Sequence, residues 1–120
     1  MVETIKLAER LLYDSHISQQ IIKIIHSEYD TDLTLASVAS CMHYNPCYLS
    51  TVFRKETGVL FSEYLASYRH SMAIKWLVES EMFVKEISER LRYKNTQNFI
   101  RSFRRIESMT PGQFRALHKK

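Results

Sequence analysis

The sequence predicts an all-α fold: two helix-turn-helix subdomains joined by a long central helix, about seven helices plus an N-terminal linker helix. Three observations carry that prediction. Apolar residues recur at i, i+3 and i+4 along most of the 120 residues, the spacing of helices buried along one face. Glycine and proline number only two each, which leaves little of the turn punctuation a β-rich fold needs. Finally, a segment repeats. Met42-His43-Tyr44-Asn45-Pro46, followed by Leu49 and Phe53-Arg54-Lys55, returns as Leu91-Arg92-Tyr93-Lys94-Asn95-Thr96, followed by Phe99 and Phe103-Arg104-Arg105. The offset is 49 before the turn and 50 after it, so the second turn is one residue longer.

Taken in order, residues 2–13 form an amphipathic helix with Ile5, Ala8, Leu11 and Leu12 on one face. Asp14-Ser15-His16 interrupts it, with Ser15 as the next N-cap. Ile17, Ile21, Ile22, Ile24 and Ile25 then give a second helix ending near Tyr29. Thr34 caps a short helix with Leu35, Val38, Ala39 and Met42 inward. After the turn, Asn45 caps a helix that starts at Pro46, where the missing N–H costs nothing. Gly58 ends it in the left-handed region. A long helix runs from about Phe61 to Glu79, with Tyr64, Leu65, Tyr68, Met72, Trp76 and Leu77 as its buried stripe. In the second copy, Val84, Ile87 and Leu91 lie inward, and Asn95 caps a helix carrying Phe99, Phe103 and Ile106. Thr110-Pro111 opens a last short helix through Leu117. The division is residues 1–14 as a linker helix, 15–60 as the first subdomain, 61–79 as the connecting helix and 80–120 as the second subdomain.

A helix-turn-helix needs a second helix with two faces, one locking to the core and one free for the major groove. Both copies satisfy this. Leu49, Val52 and Phe53 cluster on one side of the first such helix, with Cys47, Ser50, Thr51 and Arg54 opposite. Phe99, Phe103 and Ile106 face in on the second, with Gln97, Ile100, Arg101 and Arg104 out. Arg101 can donate two hydrogen bonds to a guanine, Gln97 can pair with adenine, and Ile100 suits a thymine methyl. Arg54, Arg92, Lys94, Asn98, Arg104 and Arg105 are assigned to phosphates, which position a protein without specifying sequence. About 18 residues of connecting helix at ~1.5 Å each span ~27 Å. With the reach of the flanking helices, that approaches one DNA turn of ~34 Å. Two unlike reading faces then imply an asymmetric site on double-stranded DNA.

Charge supports this partner. The net charge is +4, from 17 basic and 13 acidic side chains. Residues 1–60 hold five Lys/Arg and seven Asp/Glu, residues 61–120 twelve and six. From Arg90 to Lys120 there are nine basic side chains and one acid, Glu107, the density expected of a phosphate-binding surface. No apolar run approaches the ~18 residues of a membrane span, and Met1-Val2-Glu3-Thr4 is no secretion signal. The expected setting is the cytoplasm. Cys41 and Cys47 cannot make a disulfide framework. With His43 they offer only three soft ligands across a helix–turn boundary, so no metal or cofactor is expected. The five histidines are scattered without a nucleophile or paired carboxylates, which argues against an enzyme.

Leu33-Thr-Leu-Ala-Ser-Val-Ala39, Tyr48-Leu-Ser-Thr-Val-Phe-Arg-Lys-Glu-Thr-Gly58, Phe61-Ser-Glu-Tyr-Leu65 and Met109-Thr-Pro-Gly-Gln-Phe-Arg115 resemble the DNA-binding domain of the AraC/XylS family of bacterial transcription regulators. The resemblance covers about residues 17–117. It implies seven helices, sequence-specific promoter binding, and base-reading residues at Cys47, Ser50, Thr51, Thr96, Gln97, Ile100 and Arg101. It also implies a nucleoid-associated protein with a separate sensing or receiver domain. The chain departs from the family at Arg92 and Ser108, where glycine is usual. The alternative is a protein-interaction module of the same fold, contacting RNA polymerase without binding DNA.

Overall fold

The computed structural model describes residues 2–119, and the side chains of all of these except 2–7, 10 and 11. Seven helices follow one another: α1 (Val2–Glu28), α2 (Leu35–Met42), α3 (Pro46–Thr57), α4 (Phe61–Glu79), α5 (Val84–Arg90), α6 (Thr96–Glu107) and α7 (Pro111–His118). No strand occurs among the described residues. The chain divides into two compact units. One comprises Met1–Tyr29 and Leu33–Ala66, the other Asp30–Asp32 and Ser67–Lys120. The helix α4 therefore contributes to both.

The helix ends follow from local chemistry. Thr34 and Ser37 form a reciprocal capping box, each side-chain oxygen accepting the other's backbone N–H at 3.1 Å. The Asn45 side-chain oxygen accepts from Cys47 N at 2.8 Å, with Pro46 in the first turn of α3. Asn95 repeats the device for α6, accepting from Asn98 N at 2.7 Å. Thr110 and Gln113 form the capping box of α7. Each cap satisfies backbone donors that the first turn leaves without a partner.

In the first unit, Ile17, Ile21 and Ile25 of α1 and Val38 and Ala39 of α2 are at most 1% exposed, and both helices pack on α3. Leu49 and Phe53, four residues apart on α3, are fully buried. Phe53 meets Tyr64 edge-on with ring centroids 5.7 Å apart, the preferred geometry for aromatic pairs. In the second unit, Phe99 and Phe103 occupy the same places on α6, also fully buried. Phe103 is edge-on to Phe114 of α7 at 5.4 Å.

Three expectations from the sequence are corrected. The helix does not break at Asp14-Ser15-His16: α1 is continuous from Val2 to Glu28. Asp14 is drawn inward by partners on α3 and needs no turn of its own, so tertiary packing overrides a weak local preference. On the proposed N-terminal face, Ala8 and Leu12 are exposed, while the Ile5 and Leu11 side chains lie outside the described residues. Secondly, Ile106 is 52% exposed; the last turn of α6 turns Glu107 inward to His70 instead. Thirdly, Tyr64, Tyr68, Met72 and Trp76 are only half-buried. The buried positions of α4 step from Phe61 and Leu65 to His70, Ala73 and Leu77, because one helix serves two cores.

The duplicated turns share their backbone. His43 and Arg92 both take left-handed conformations, at φ 62° and 65°. Tyr44 N donates to Ala39 O at 2.9 Å, and Tyr93 N to Ser88 O at 3.1 Å. The stops of α3 and α6 also match: Gly58 at φ 81° and Ser108 at φ 62°, each N–H returning 2.8 Å to the fourth residue before it. The positions where the family favours glycine thus do need positive φ, and the Cβ there strains the backbone by ~1 kcal/mol. Ser108→Gly should raise stability by about 0.5–1 kcal/mol in urea unfolding, net of glycine's greater freedom when unfolded. Gly58→Ala should lower it by about 1 kcal/mol, although a Cβ there would meet no atom within 4 Å.

Candidate nucleic-acid interface

Both candidate reading helices expose a polar face opposite their buried pair. On α3, Cys47, Thr51 and Arg54 are exposed and Ser50 is half-exposed. The Thr51 hydroxyl donates to Cys47 O at 3.0 Å, which leaves its lone pairs and methyl outward. On α6, Gln97, Arg101, Arg104 and Arg105 are exposed, with Thr96, Asn98 and Ile100 half-exposed. Neither Arg54 nor Arg101, Arg104 or Arg105 forms an ion pair with another described residue. Their charge is uncompensated at close range, the condition under which a cation is available to an anionic partner.

The α3 face is held from behind by a polar cluster on α1. Asp14 is 5% exposed. Its carboxylate lies 3.5 Å from Lys55 Nζ and accepts a hydrogen bond from the Tyr48 hydroxyl at 3.5 Å. The Tyr13 and Tyr44 hydroxyls are hydrogen-bonded to each other. That bond, and then burial, push the Tyr44 phenol up to about 12. Tyr44 and Tyr48 pack with ring centroids 5.7 Å apart. Through these contacts α1 fastens the turn at Tyr44 and α3 at both Tyr48 in its first turn and Lys55 in its last. Lys55, basic in the repeat, is thereby occupied with Asp14.

In the second unit the turn residue Arg92 is also engaged. Its Nε donates to Asp30 O at 3.0 Å and lies 3.9 Å from the Asp32 carboxylate. Arg69 donates to Thr31 O at 2.9 Å; burial lowers its pKa from the usual value. Two arginines thus hold the Asp30–Asp32 segment. Tyr93 packs on Phe99 with centroids 5.0 Å apart, and burial pushes its phenol up. Lys94 is exposed.

The structure brings Cys47, Ser50, Thr51 and Arg54 onto α3 and Thr96, Gln97, Asn98, Ile100, Arg101, Arg104 and Arg105 onto α6, while Arg92 and Lys94 lie in the turn between α5 and α6. It also shows supports that sequence patterns missed, chiefly Asp14 behind α3 and His70 with Glu107 behind α6. The one signal for the latter was Glu107 itself, the lone acid in a basic segment. No group of three or more His, Cys, Asp or Glu side chains able to hold a metal occurs among the described residues. No helix among those residues is long and apolar enough to cross a membrane.

Two capped, two-faced helices, each preceded by a short helix and a left-handed turn, define the helix-turn-helix class. Residues 38–117 match the family described as "Helix-turn-helix domain". The chain is 57% identical over 100 residues to the HTH-type transcriptional regulator YtdP of Bacillus subtilis (strain 168), covering 83% of this chain and 13% of that protein. It is 34% identical over 115 residues to the HTH-type transcriptional regulator YobQ of the same strain, covering 96% of this chain and 46% of that one. Its fold matches the C-terminal domain of AraT, a response regulator from Geobacillus stearothermophilus, with a TM-score of 0.81, 30% identity and 87% of each chain covered. The chain belongs to the AraC/XylS family of helix-turn-helix DNA-binding domains. It spans less than half the length of either curated relative described above.

The caps bear directly on these faces. Asn95→Ala should cost ~1 kcal/mol of stability, read as a lowered thermal midpoint. Asn95→Asp, which keeps an acceptor for the Asn98 N–H, should recover most of it.

Proposed function

We propose that this chain is the promoter-binding part of a transcription regulator, with α3 and α6 entering successive major grooves of an asymmetric duplex site. The observation that carries the proposal is the α6 face, where Arg101, Arg104 and Arg105 are exposed, without an ion pair among the described residues, opposite the buried Phe99 and Phe103. Cys47, Ser50 and Thr51 read base edges in one groove; Thr96, Gln97, Ile100 and Arg101 read them in the other. Small side chains on α3 demand close approach or water-mediated contacts. Arg54, Lys94, Asn98, Arg104 and Arg105 bind phosphates. Arg92 joins them with what remains free of its half-exposed guanidinium after Asp30 is served. The two helices should meet the duplex about one turn, ~34 Å, apart. A transcriptional role in bacterial cytoplasm is supported by the regulators among its relatives, with a sensing or receiver domain as the partner in the same protein.

A salt titration on selected duplexes tests the reading. Five cations on phosphates predict a slope of log K against log salt of about −4 to −5. No duplex affinity at low salt would sink it, and would favour an RNA polymerase-contacting module instead. Arg101→Ala should lose ~1–3 kcal/mol of binding and relax preference at one base pair. A uniform loss on every sequence would make Arg101 a phosphate contact.

A further inference from the structure

We propose that His70 is a positioning residue for sequence recognition: from α4 it grips the last turn of α6 and so sets the aim of that helix's reading face. The inference rests on α6 being a DNA-reading helix. His70 is 8% exposed. Its Nε2 lies 2.8 Å from Glu107 Oε1, and its ring packs against Phe103 with centroids 5.0 Å apart and planes tilted by 38°. One side chain therefore touches α6 at two residues one turn apart, near the C-terminal end. Asn95 fixes the other end through the Asn98 N–H.

The apolar contacts between these points, Phe99 and Phe103, are strong but tolerate small rotations, since dispersion and burial are nearly non-directional. The hydrogen bond is directional. Gln97 lies six residues from Phe103, ~9 Å along the axis. A pivot of about 10° at Phe103 would move it by ~1.6 Å, enough to break a base-edge hydrogen bond whose working range is under ~0.5 Å.

The pair is an odd choice for stability alone. Glu107 sits in the C-terminal turn of α6, where the helix dipole disfavours a carboxylate. His70 Nδ1 is buried, with no hydrogen-bond partner among the described residues. The carboxylate requires a proton on Nε2, which in the neutral ring leaves Nδ1 a bare acceptor. Two apolar side chains would avoid both penalties, and such replacements of buried polar pairs are often neutral or stabilising. What they would lack is an orientation. That is the physical content of assigning the pair to aim.

The test uses the full chain. Bound sequences are first selected from a random duplex pool, and Arg101→Ala identifies the half-site under α6. A wild type that selects nothing overturns the DNA reading itself, and this inference with it. Given a selected site, the double variant His70→Leu/Glu107→Leu should keep or raise the unfolding midpoint. It should lose about tenfold in discrimination at the α6 half-site, with the α3 half-site unchanged. Wild-type discrimination, or an equal loss in both halves, would overturn the inference. Should the double variant not fold, His70→Gln against His70→Asn decides it. Gln keeps a donor within reach of Glu107 and should retain discrimination, while the shorter Asn should lose it. Equal behaviour of the two overturns the positioning role.

Discussion

Each candidate reading helix depends on two large apolar side chains one turn apart. Leu49 and Phe53 on α3, and Phe99 and Phe103 on α6, are all fully buried. A helix of 12 residues is marginal by itself in water, so this pair both stabilises it and decides which way it faces. Once it is seated, the outward positions follow from helical geometry, and every polar residue there is free to vary without touching the core. The chain uses that freedom: α3 presents small neutral groups, α6 a cation, an amide and an aliphatic. Removing either buried phenylalanine would be expected to erase the face along with the core.

Caps and stops then trim each helix to length. The left-handed residues matter because a helix that ran on past Gly58 or Ser108 would carry its last polar groups into the next element. Nature of the residue is secondary to the conformation: His43, Arg92 and Ser108 all hold positive φ where glycine would sit more easily. At Arg92 a compensation is visible, since the same residue ties down the carbonyl of Asp30. At Ser108 no comparable side-chain bond occurs among the described residues.

Cap signals in the sequence were reliable except at Ser15, through which α1 runs unbroken. Thr34, Asn45, Asn95 and Thr110 all cap as their chemistry suggests, and Pro46 and Pro111 stand in first turns. Signals that depended on a distant partner were misread or invisible. Asp14 looked like a helix breaker because its partners Lys55 and Tyr48 lie more than thirty residues away. Ile106 looked buried because periodicity cannot know that His70 claims the neighbouring position for Glu107. A single apolar stripe was expected along α4 because nothing local announces that a helix must satisfy two cores in turn.

That sharing of α4 bears on how the molecule folds. Starting a helix is the costly step and lengthening it is cheap. When Ala73 and Leu77 are buried, the C-terminal part of α4 is already wound, and the turn bearing Phe61 and Leu65 has only to be added to it. The reverse holds when the first unit forms earlier. A helix begun in either unit thus needs only to be lengthened, not started anew, to enter the other.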